Sequence, residues 1–258
     1  MGYCLYWWVN NKRDNSLLCV GTIFANCIAC GVYSTNSPEA CLYVAQNSDA
    51  QIIVIQNLEI YQKYEPYLKQ LNLVKAIVLY NETNLPEEMV VPVYLWEDFI
   101  NLGRKFKESI HDTLQERINK QNPGNCCSLF YTSGTTTLAK GVMLSHDNLL
   151  YGIEEIFYEF SGSRESQIHE RIISYLPLSH VAAFVCDVIT NFTIGATVTF
   201  AKPDALKGSL LKTMKIIRPT IFFAVPRVWE KIEQQIKTIS AKKATLLKII
   251  GTDQLNLF

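Results

Sequence analysis

At positions 126–145 the chain reads CCSLFYTSGTTTLAKGVMLS. The apolar run at its start predicts a buried strand, and the Val-Met-Leu run at 142–144 predicts a second strand. Between the strands lies a loop of hydroxyls and glycine that ends at Lys140. Gly134 lets the backbone approach an anion, successive N–H groups and hydroxyls can point at its oxygens, and Lys140 adds a mobile positive charge. The stretch therefore predicts a polyphosphate-binding loop, followed by a helix that Ser145 can cap.

This loop differs from the Walker A sequence, which requires a Ser or Thr after the lysine. Here Lys140 is followed by Gly141. Three consecutive threonines taken alone favour a polar surface loop. The whole run, with its flanking strands, is a much more specific pattern for a phosphate-binding loop than the three threonines are.

Strands and helices alternate along the rest of the chain, which predicts an α/β fold with layered, mostly parallel sheets and helices on both faces. Predicted strands cover residues 52–55, 76–80, 126–129, 142–144, 172–176, 196–200 and 220–225. Predicted helices cover 17–30, 38–47, 59–71 with a break near Pro66, 96–103, 106–120, 146–160, 181–191 and 204–217, with a last one from 226. Ligands of such sheets bind beyond the carboxyl ends of strands. We therefore expect the loop at Thr132 and the turn at Pro177 to open on one rim.

The composition limits the partners of the chain. It has 258 residues, 48% of them hydrophobic, which is enough for a packed core. Lys plus Arg equals Asp plus Glu at 24 each, and this balance argues against a nucleic-acid surface or a polybasic membrane anchor. Residues 17–33 form the only apolar run near the length of a membrane span, and we interpret them as buried in an α/β domain.

Cys27 and Cys30 have the C-x-x-C spacing of redox or metal sites. A second pair and a nearby histidine are both missing from the sequence around them. We favour buried thiols over a functional pair at roughly four to one. The cysteine usage fits a reducing, cytoplasmic compartment.

The run YTSGTTTLAKGVMLSHDN at 131–148 closely resembles the phosphate-loop motif of the adenylate-forming enzymes. GVYSTNSPEA at 31–40 and SYLPLSHVAA at 174–183 resemble further segments of that family. PDALKGSL at 203–210 and VPRVWEKI at 225–232 narrow the resemblance to long-chain fatty acyl-CoA synthetases of the bubblegum type. The resemblance implies a partial N-terminal, AMP-binding domain over residues 17–240, with 1–16 unassigned and 241–258 a truncated tail.

The resemblance implies a two-step ligase reaction. ATP and a long-chain fatty acid give an acyl-adenylate, and coenzyme A then takes the acyl group as a thioester; Mg²⁺ accompanies the nucleotide. The implied ATP-phosphate contacts are Thr132, Ser133, Gly134, Thr135, Thr136, Thr137 and Lys140. His180 is implied near the acyl carboxylate and Trp229 along the acyl channel. Taken without the resemblance, His180 fits a core histidine and Trp229 a core anchor of an amphipathic helix.

The sequence departs from the family pattern at two places. Thr137 stands where the family has glycine, and if that position needs a positive φ the strain is about 1–3 kcal/mol. We therefore expect weakened phosphate binding, which Thr137→Gly would restore. The second departure is the absence of the family's adenine-contacting motif, ribose-binding aspartate and C-terminal domain with its catalytic lysine, so no certain catalytic residue is assigned.

The sequence thus predicts the N-terminal portion of a long-chain fatty acid–CoA ligase, incomplete and weak or inactive as given. A non-catalytic, truncated paralogue that binds an acyl chain, a nucleotide or a full-length partner is the first alternative. An unrelated phosphate-binding α/β protein is the second. We expect no nucleic-acid partner and no transmembrane span, and a cytoplasmic location that is compatible with peripheral contact with an intracellular membrane. Poor solubility is expected, because a sheet cut short leaves an unpaired edge.

Overall fold

A computed structural model describes residues 3–7, 12–33, 35–132, 139–161 and 169–253. The chain divides into two units, residues 1–220 and 221–258. The first unit contains both sheets and all of the proposed phosphate-binding residues that the structure describes.

A seven-stranded sheet runs through the first unit in the order β5-β4-β3-β1-β2-β6-β7. All neighbouring strands are parallel except β6 and β7, which are antiparallel. The strands are β1 Tyr3–Trp7, β2 Ile28–Val32, β3 Ala50–Ile55, β4 Ala76–Leu79, β5 Val93–Leu95, β6 Cys126–Thr132 and β7 Lys140–Ser145. The helices between them are α1 Lys12–Phe24, α2 Pro38–Asn47, α3 Leu58–Tyr64, the 3-10 helix Glu65–Gln70, and α4 Trp96–Asn119. The predicted α/β class is confirmed.

Local signals place the ends of α2 where the sequence predicts them. Ser37 adopts an extended backbone and its side chain accepts a hydrogen bond from the Ala40 N–H at 3.3 Å. Pro38 occupies the first turn, where its missing N–H would have had no intrahelical partner. Glu39 places a negative charge beside the positive end of the helix dipole.

The two faces of the sheet have different coverings, because side chains alternate along each strand. One face joins a single hydrophobic cluster with side chains of α2, α3 and the 3-10 helix. The strand residues in this cluster include Cys30, Val32, Ile53, Ile55, Ile77, Leu79, Leu129 and Tyr131. On the other face Gly31 and Phe130 are cross-strand partners, and Phe130 packs against Phe184 with ring centroids 5.4 Å apart.

The rest of the first unit is built on a second, two-stranded parallel sheet. It consists of β8 Arg171–Ser174 and β9 Thr197–Phe200, after α5 His146–Ser161. Between the two strands the chain forms one continuous helical stretch, α6 Val181–Ala183, the π-helix Phe184–Ile189 and α7 Thr190–Ile194. The 3-10 helix Ala205–Lys207 and α8 Leu210–Ile217 follow β9.

The start of the chain differs from its sequence interpretation. The helix predicted over 17–30 ends at Phe24, and Asn26 turns the chain with a φ of 56°. Ile28–Val32 is a fully buried strand, and Tyr3–Trp7 pairs on both edges as a central strand. Periodicity cannot separate a buried strand from a buried helix in a continuous apolar run. The apolar run over 17–30 therefore predicts a single helix where the structure has a helix, a turn and a strand.

Two later elements also differ from their prediction. The helices predicted over 96–103 and 106–120 are one continuous helix, because Gly103 costs helix stability but does not end a helix. The strand predicted over 220–225 does not form in these described residues. A short apolar run forms a strand only where a neighbouring strand can pair with it.

The second unit consists mainly of α9 Pro226–Asp253. Within it the ring of Trp229 lies edge-on to Phe222, with centroids 5.5 Å apart. Across the described part of the chain, no helix has the length and apolarity needed to cross a membrane.

Candidate phosphate and acyl site

The predicted phosphate loop connects β6 to β7 and so closes an antiparallel hairpin. Thr132 is the last residue of β6 and Lys140 is the first of β7, and the two are direct cross-strand partners. Both side chains are exposed. The structure therefore brings together the first and last members of the predicted phosphate-binding set. The intervening members, Ser133, Gly134, Thr135, Thr136 and Thr137, lie outside the described residues.

Both stems of this hairpin are anchored in the core. Tyr131 is 7% exposed and belongs to the hydrophobic cluster beneath α2 and α3. Ala139 packs against the same cluster. Each anchor lies next to an exposed polar residue, so Thr132 and Lys140 rise from fixed backbone positions.

The Tyr131 hydroxyl donates a hydrogen bond to Oδ1 of Asn47, the last residue of α2, at 2.8 Å. Its ring lies edge-on to Tyr43, with centroids 6.3 Å apart. A Cβ on the cross-strand partner Gly141 would lie 3.1 Å from Cζ of Tyr131. Glycine at that position thus gives the tyrosine ring room to cross β7.

Lys140 has its charge available for a ligand. The ion pairs recorded among the described residues are Lys120 with Glu116 and Lys237 with Glu233, each between neighbouring turns of one helix. Lys140 takes part in neither of them. A lysine ammonium is a flexible point charge that suits a mobile phosphate tail.

The exit of the hairpin is held by a reciprocal cap. The Ser145 hydroxyl accepts from the Asn148 N–H, and Oδ1 of Asn148 accepts from the Ser145 N–H, each at 3.1 Å. These bonds join the end of β7 to the first turn of α5 and confirm the predicted cap.

The second predicted motif lies on the face of the sheet that carries Phe130. Residues 177–180 form a turn in which the Pro177 carbonyl accepts from the His180 N–H at 3.0 Å. Ser179 in this turn packs directly on β2, since a Cβ on Gly31 would lie 2.8 Å from its Cα. Because Gly31 pairs with Phe130, the turn lies next to a strand that ends two residues later at Thr132. The turn therefore rests on β2, the strand next to β6.

His180 is exposed, so the alternative of a core histidine is not what the structure shows. Its Nδ1 accepts a hydrogen bond from the Ala182 N–H at 3.2 Å and caps the helical stretch that follows. An acceptor at Nδ1 places the proton of the neutral ring on Nε2. The Nε2–H group can therefore donate to an oxygen of a ligand.

Trp229 lies in the second unit, in the first turn of α9, and is 50% exposed. Its ring contacts Phe222 of the same unit. Its predicted role along an acyl channel stays a prediction.

Cys30 of the C-x-x-C pair is completely buried in β2, and no disulfide joins it to Cys27. In the described segments no group of three or more His, Cys, Asp or Glu residues is arranged to hold a metal ion.

Sequence reasoning did not identify three residues that shape the site: Asn47, Gly31 and Phe184. Asn47 ends a helix 84 positions before its partner Tyr131, and nothing in the local sequence connects them. The glycine inside the apolar run Ile28–Val32 was the available signal for a close contact, since an isolated glycine in a strand often marks one.

The family model of AMP-binding enzymes matches residues 8–255. This match covers nearly the whole chain, and the chain therefore belongs to the AMP-binding enzyme family. The domain limits at residues 17 and 240 stay predictions.

Within the family, the chain is similar to long-chain-fatty-acid–CoA ligases of the bubblegum type. It is 43% identical to ACSBG2 of Xenopus laevis over 242 residues, 94% of this chain and 32% of that protein. It is 42% identical to human ACSBG1 over 86% of this chain and 30% of that protein. The chain thus spans about a third of the length of these curated relatives.

Solved structures support the fold. The anthranilate CoA ligase AuaEII in complex with anthranoyl-AMP aligns with a TM-score of 0.62 at 19% identity, over 87% of this chain and 40% of that one. The o-succinylbenzoate CoA synthetase MenE of Bacillus subtilis in complex with AMP aligns with a TM-score of 0.63 at 13% identity, over 91% and 51%. Both confirm the N-terminal domain architecture of adenylate-forming enzymes.

Proposed function

We propose that this chain is the phosphate- and acyl-binding part of a long-chain fatty acid–CoA ligase. The observation that carries the proposal is the convergence of the two motifs on neighbouring strands. The turn containing Ser179 rests on β2, and the adjacent strand β6 ends at Thr132. A ligase of this kind must hold the triphosphate of ATP beside a fatty-acid carboxylate, and the convergence fits that need.

In the first step a carboxylate oxygen of the fatty acid attacks the α-phosphorus of ATP, and the bond to pyrophosphate breaks. Negative charge then accumulates on the leaving pyrophosphate. Lys140 and the hydroxyl of Thr132 stabilise this charge in the proposal, which their exposure and their direct cross-strand pairing support. Ser133, Gly134, Thr135, Thr136 and Thr137 complete the set in the proposal.

His180 orients the acyl carboxylate in this scheme. Its Nδ1 accepts from the Ala182 N–H, so the neutral ring has Nε2–H to donate to the carboxylate. In the second step the thiol of coenzyme A attacks the acyl carbon, loses its proton and displaces AMP. Trp229 is proposed to line the acyl channel.

Mg²⁺ enters with ATP in this proposal. Mg²⁺ is usually bound by substrate phosphates, water and one or two carboxylates rather than by an all-protein cage. Because long-chain fatty acids partition into membranes, the proposal includes a peripheral contact with an intracellular membrane.

The test of the phosphate site is calorimetric titration of the 258-residue chain with ATP·Mg²⁺ and with inorganic tripolyphosphate. Lys140→Ala is expected to weaken both by about tenfold or more, since a charge-assisted hydrogen bond is worth about 1.5–3 kcal/mol. Lys120→Ala, which removes a lysine already paired on α4, is the matched control and is expected to change neither. Equal binding by Lys140→Ala and the unmodified chain would overturn the assignment.

The test of catalysis is fatty-acid-dependent exchange of pyrophosphate into ATP. Exchange that disappears in Lys140→Ala would support the ligase. Binding of tripolyphosphate and fatty acid without exchange would instead support the alternative, a non-catalytic paralogue that binds an acyl chain, a nucleotide or a full-length partner.

A further inference from the structure

We propose that Tyr131 and Asn47 form a positioning pair that holds the phosphate hairpin in its binding shape. This inference rests on the proposed function of Thr132 and Lys140. Neither Tyr131 nor Asn47 is proposed to touch the ligand.

The hydrogen bond between the two side chains connects the end of β6 to the C-terminal end of α2. Tyr131 immediately precedes Thr132, and its cross-strand partner Gly141 immediately follows Lys140. The tyrosine ring therefore lies beside both stems of the hairpin. Its hydroxyl reaches beyond them to Asn47, at the C-terminal end of α2.

The packing around the ring leaves it little freedom. Tyr131 is buried to 7% exposure, its ring meets Tyr43 edge-on, and the backbone of Gly141 lies where a Cβ would come within 3.1 Å of Cζ. The packing sets the position of the ring plane, and the bond to Asn47 sets its lateral position. Shifting the ring would shift the backbone from which Thr132 extends.

The consequence is preorganisation. Two strand ends that bind a ligand together lose conformational freedom on binding, and holding Thr132 and Lys140 in place beforehand reduces that loss. The pair thus acts on phosphate affinity through the shape of the hairpin.

The experiment is titration of the unmodified chain and its variants with inorganic tripolyphosphate, together with thermal melting. Tyr131→Phe keeps the ring and removes the hydroxyl, and Asn47→Ala removes the acceptor. Each is expected to weaken tripolyphosphate binding by about fivefold, the factor that one neutral hydrogen bond of about 1 kcal/mol gives. The double variant is expected to lose no more than either single variant, because both remove the same bond.

Asn47→Asp is the conservative rescue, since its carboxylate still accepts from the Tyr131 hydroxyl. We expect it to bind tripolyphosphate like the unmodified chain. Tyr43→Phe is the matched control, because it removes a hydroxyl from the same aromatic group without touching the Tyr131–Asn47 bond. If the Tyr131–Asn47 bond contributed to stability alone, Tyr131→Phe would have a lower melting temperature. Its affinity for tripolyphosphate, measured below the unfolding transition, would then be unchanged.

The outcomes separate the two proposals. If the unmodified chain binds tripolyphosphate and Lys140→Ala does not, the proposed function stands. Unchanged affinity in Tyr131→Phe and Asn47→Ala would then overturn the positioning pair alone. If the unmodified chain binds no tripolyphosphate, both proposals fail. Additive losses in the double variant would also overturn the pair.

Discussion

Gly31 lies at the point where the turn 177–180 rests on strand β2. A Cβ at this position would lie 2.8 Å from Cα of Ser179 and 3.3 Å from its carbonyl oxygen. Backbone atoms at such distances cannot move aside as a flexible side chain can. The absence of a side chain at Gly31 therefore lets the turn rest on β2.

Gly31→Ala is expected to lower the free energy of unfolding by about 1–3 kcal/mol, the usual cost of overpacking a core. Urea denaturation measures this change. Gly21→Ala is the control, because Gly21 lies in α1 with no neighbouring atom within 4 Å of the methyl that alanine adds, and alanine is the better helix former. Equal stability of Gly31→Ala and the unmodified chain would show that the turn does not rest on β2.

His180 caps a helix and is proposed to contact the acyl carboxylate, and one substitution can separate these two roles. Asparagine also caps helices well, so His180→Asn is expected to keep the melting temperature while removing the Nε2–H donor. Binding of a long-chain fatty acid is then expected to weaken by about tenfold, as for a lost hydrogen bond to a charged group. A fluorescent fatty-acid displacement assay measures this effect.

The control ligand for His180→Asn is the fatty alcohol of the same chain length, which lacks the carboxylate. Its affinity is expected to stay unchanged. Equal weakening of alcohol and acid would contradict a contact between His180 and the carboxylate.

At the scale of single elements, the junction between β7 and α5 determines how the hairpin leaves the site. The reciprocal bonds of Ser145 and Asn148 satisfy N–H groups at the start of α5 that have no partner within the helix. The same junction fixes where β7 ends. The strand pairing that sets Lys140 opposite Thr132 therefore depends on a local cap as well as on the sheet.

Ser145→Ala is expected to lower the free energy of unfolding by about 1 kcal/mol, the usual value of an N-terminal cap. Chemical denaturation provides the measurement. Ser109→Ala makes the same chemical change inside the exposed helix α4 and is expected to have almost no effect. Equal effects of the two substitutions would argue against the cap.

At the scale of the whole molecule, the outer edge of the large sheet exposes apolar side chains. β7 is the last strand in the sheet order, and Val142 and Met143 on it are 43% and 70% exposed. Further exposed apolar side chains follow on α5: Leu150, Tyr151, Ile156 and Tyr158. An unpaired edge with apolar side chains invites pairing with another chain.

Met143→Lys is therefore expected to raise the concentration at which the chain stays unaggregated, since a lysine on an edge strand opposes edge-to-edge pairing. Light scattering over a concentration series measures this. Met89→Lys, at another exposed apolar residue outside the strands, is the control. A similar gain from both would indicate a general effect of charge.

Because of two buried thiols, we expect the stability of the molecule to vary with pH in the alkaline range. Burial raises the pKa of Cys41 and of Cys127 from the ordinary value of 9.0 to about 11. Their contribution to stability is fully present below pH 9, where the thiols keep their protons in the folded and in the unfolded protein. It is lost as the pH rises towards 11, because the unfolded protein releases these protons first. Each thiol is expected to contribute a loss of at most about 1.4 kcal/mol per pH unit.

The free energy of unfolding, measured between neutral pH and pH 10, tests this slope. The range stops at pH 10 because ionisation of the buried tyrosines, whose ordinary pKa is 10.0, would add to the slope above it. Cys41→Ala combined with Cys127→Ala is expected to flatten the profile. An unchanged slope in that double variant would rule out the two thiols as its source.

The local sequence determined those parts of this protein that depend on short-range physics. The cap at Ser37, the break near Pro66 and the two strands around the phosphate loop are all set by neighbours within a few residues. The resemblance carried by the phosphate-loop motif also determined the family.

Only the tertiary structure decided what depends on distant partners. It made Ile28–Val32 a strand, because a continuous apolar run takes its form from what covers it. It made Tyr3–Trp7 a central strand, joined Tyr131 to Asn47 and seated Ser179 on Gly31. Such contacts depend on shape in three dimensions, and the local order of residues carries no record of which distant surfaces will meet.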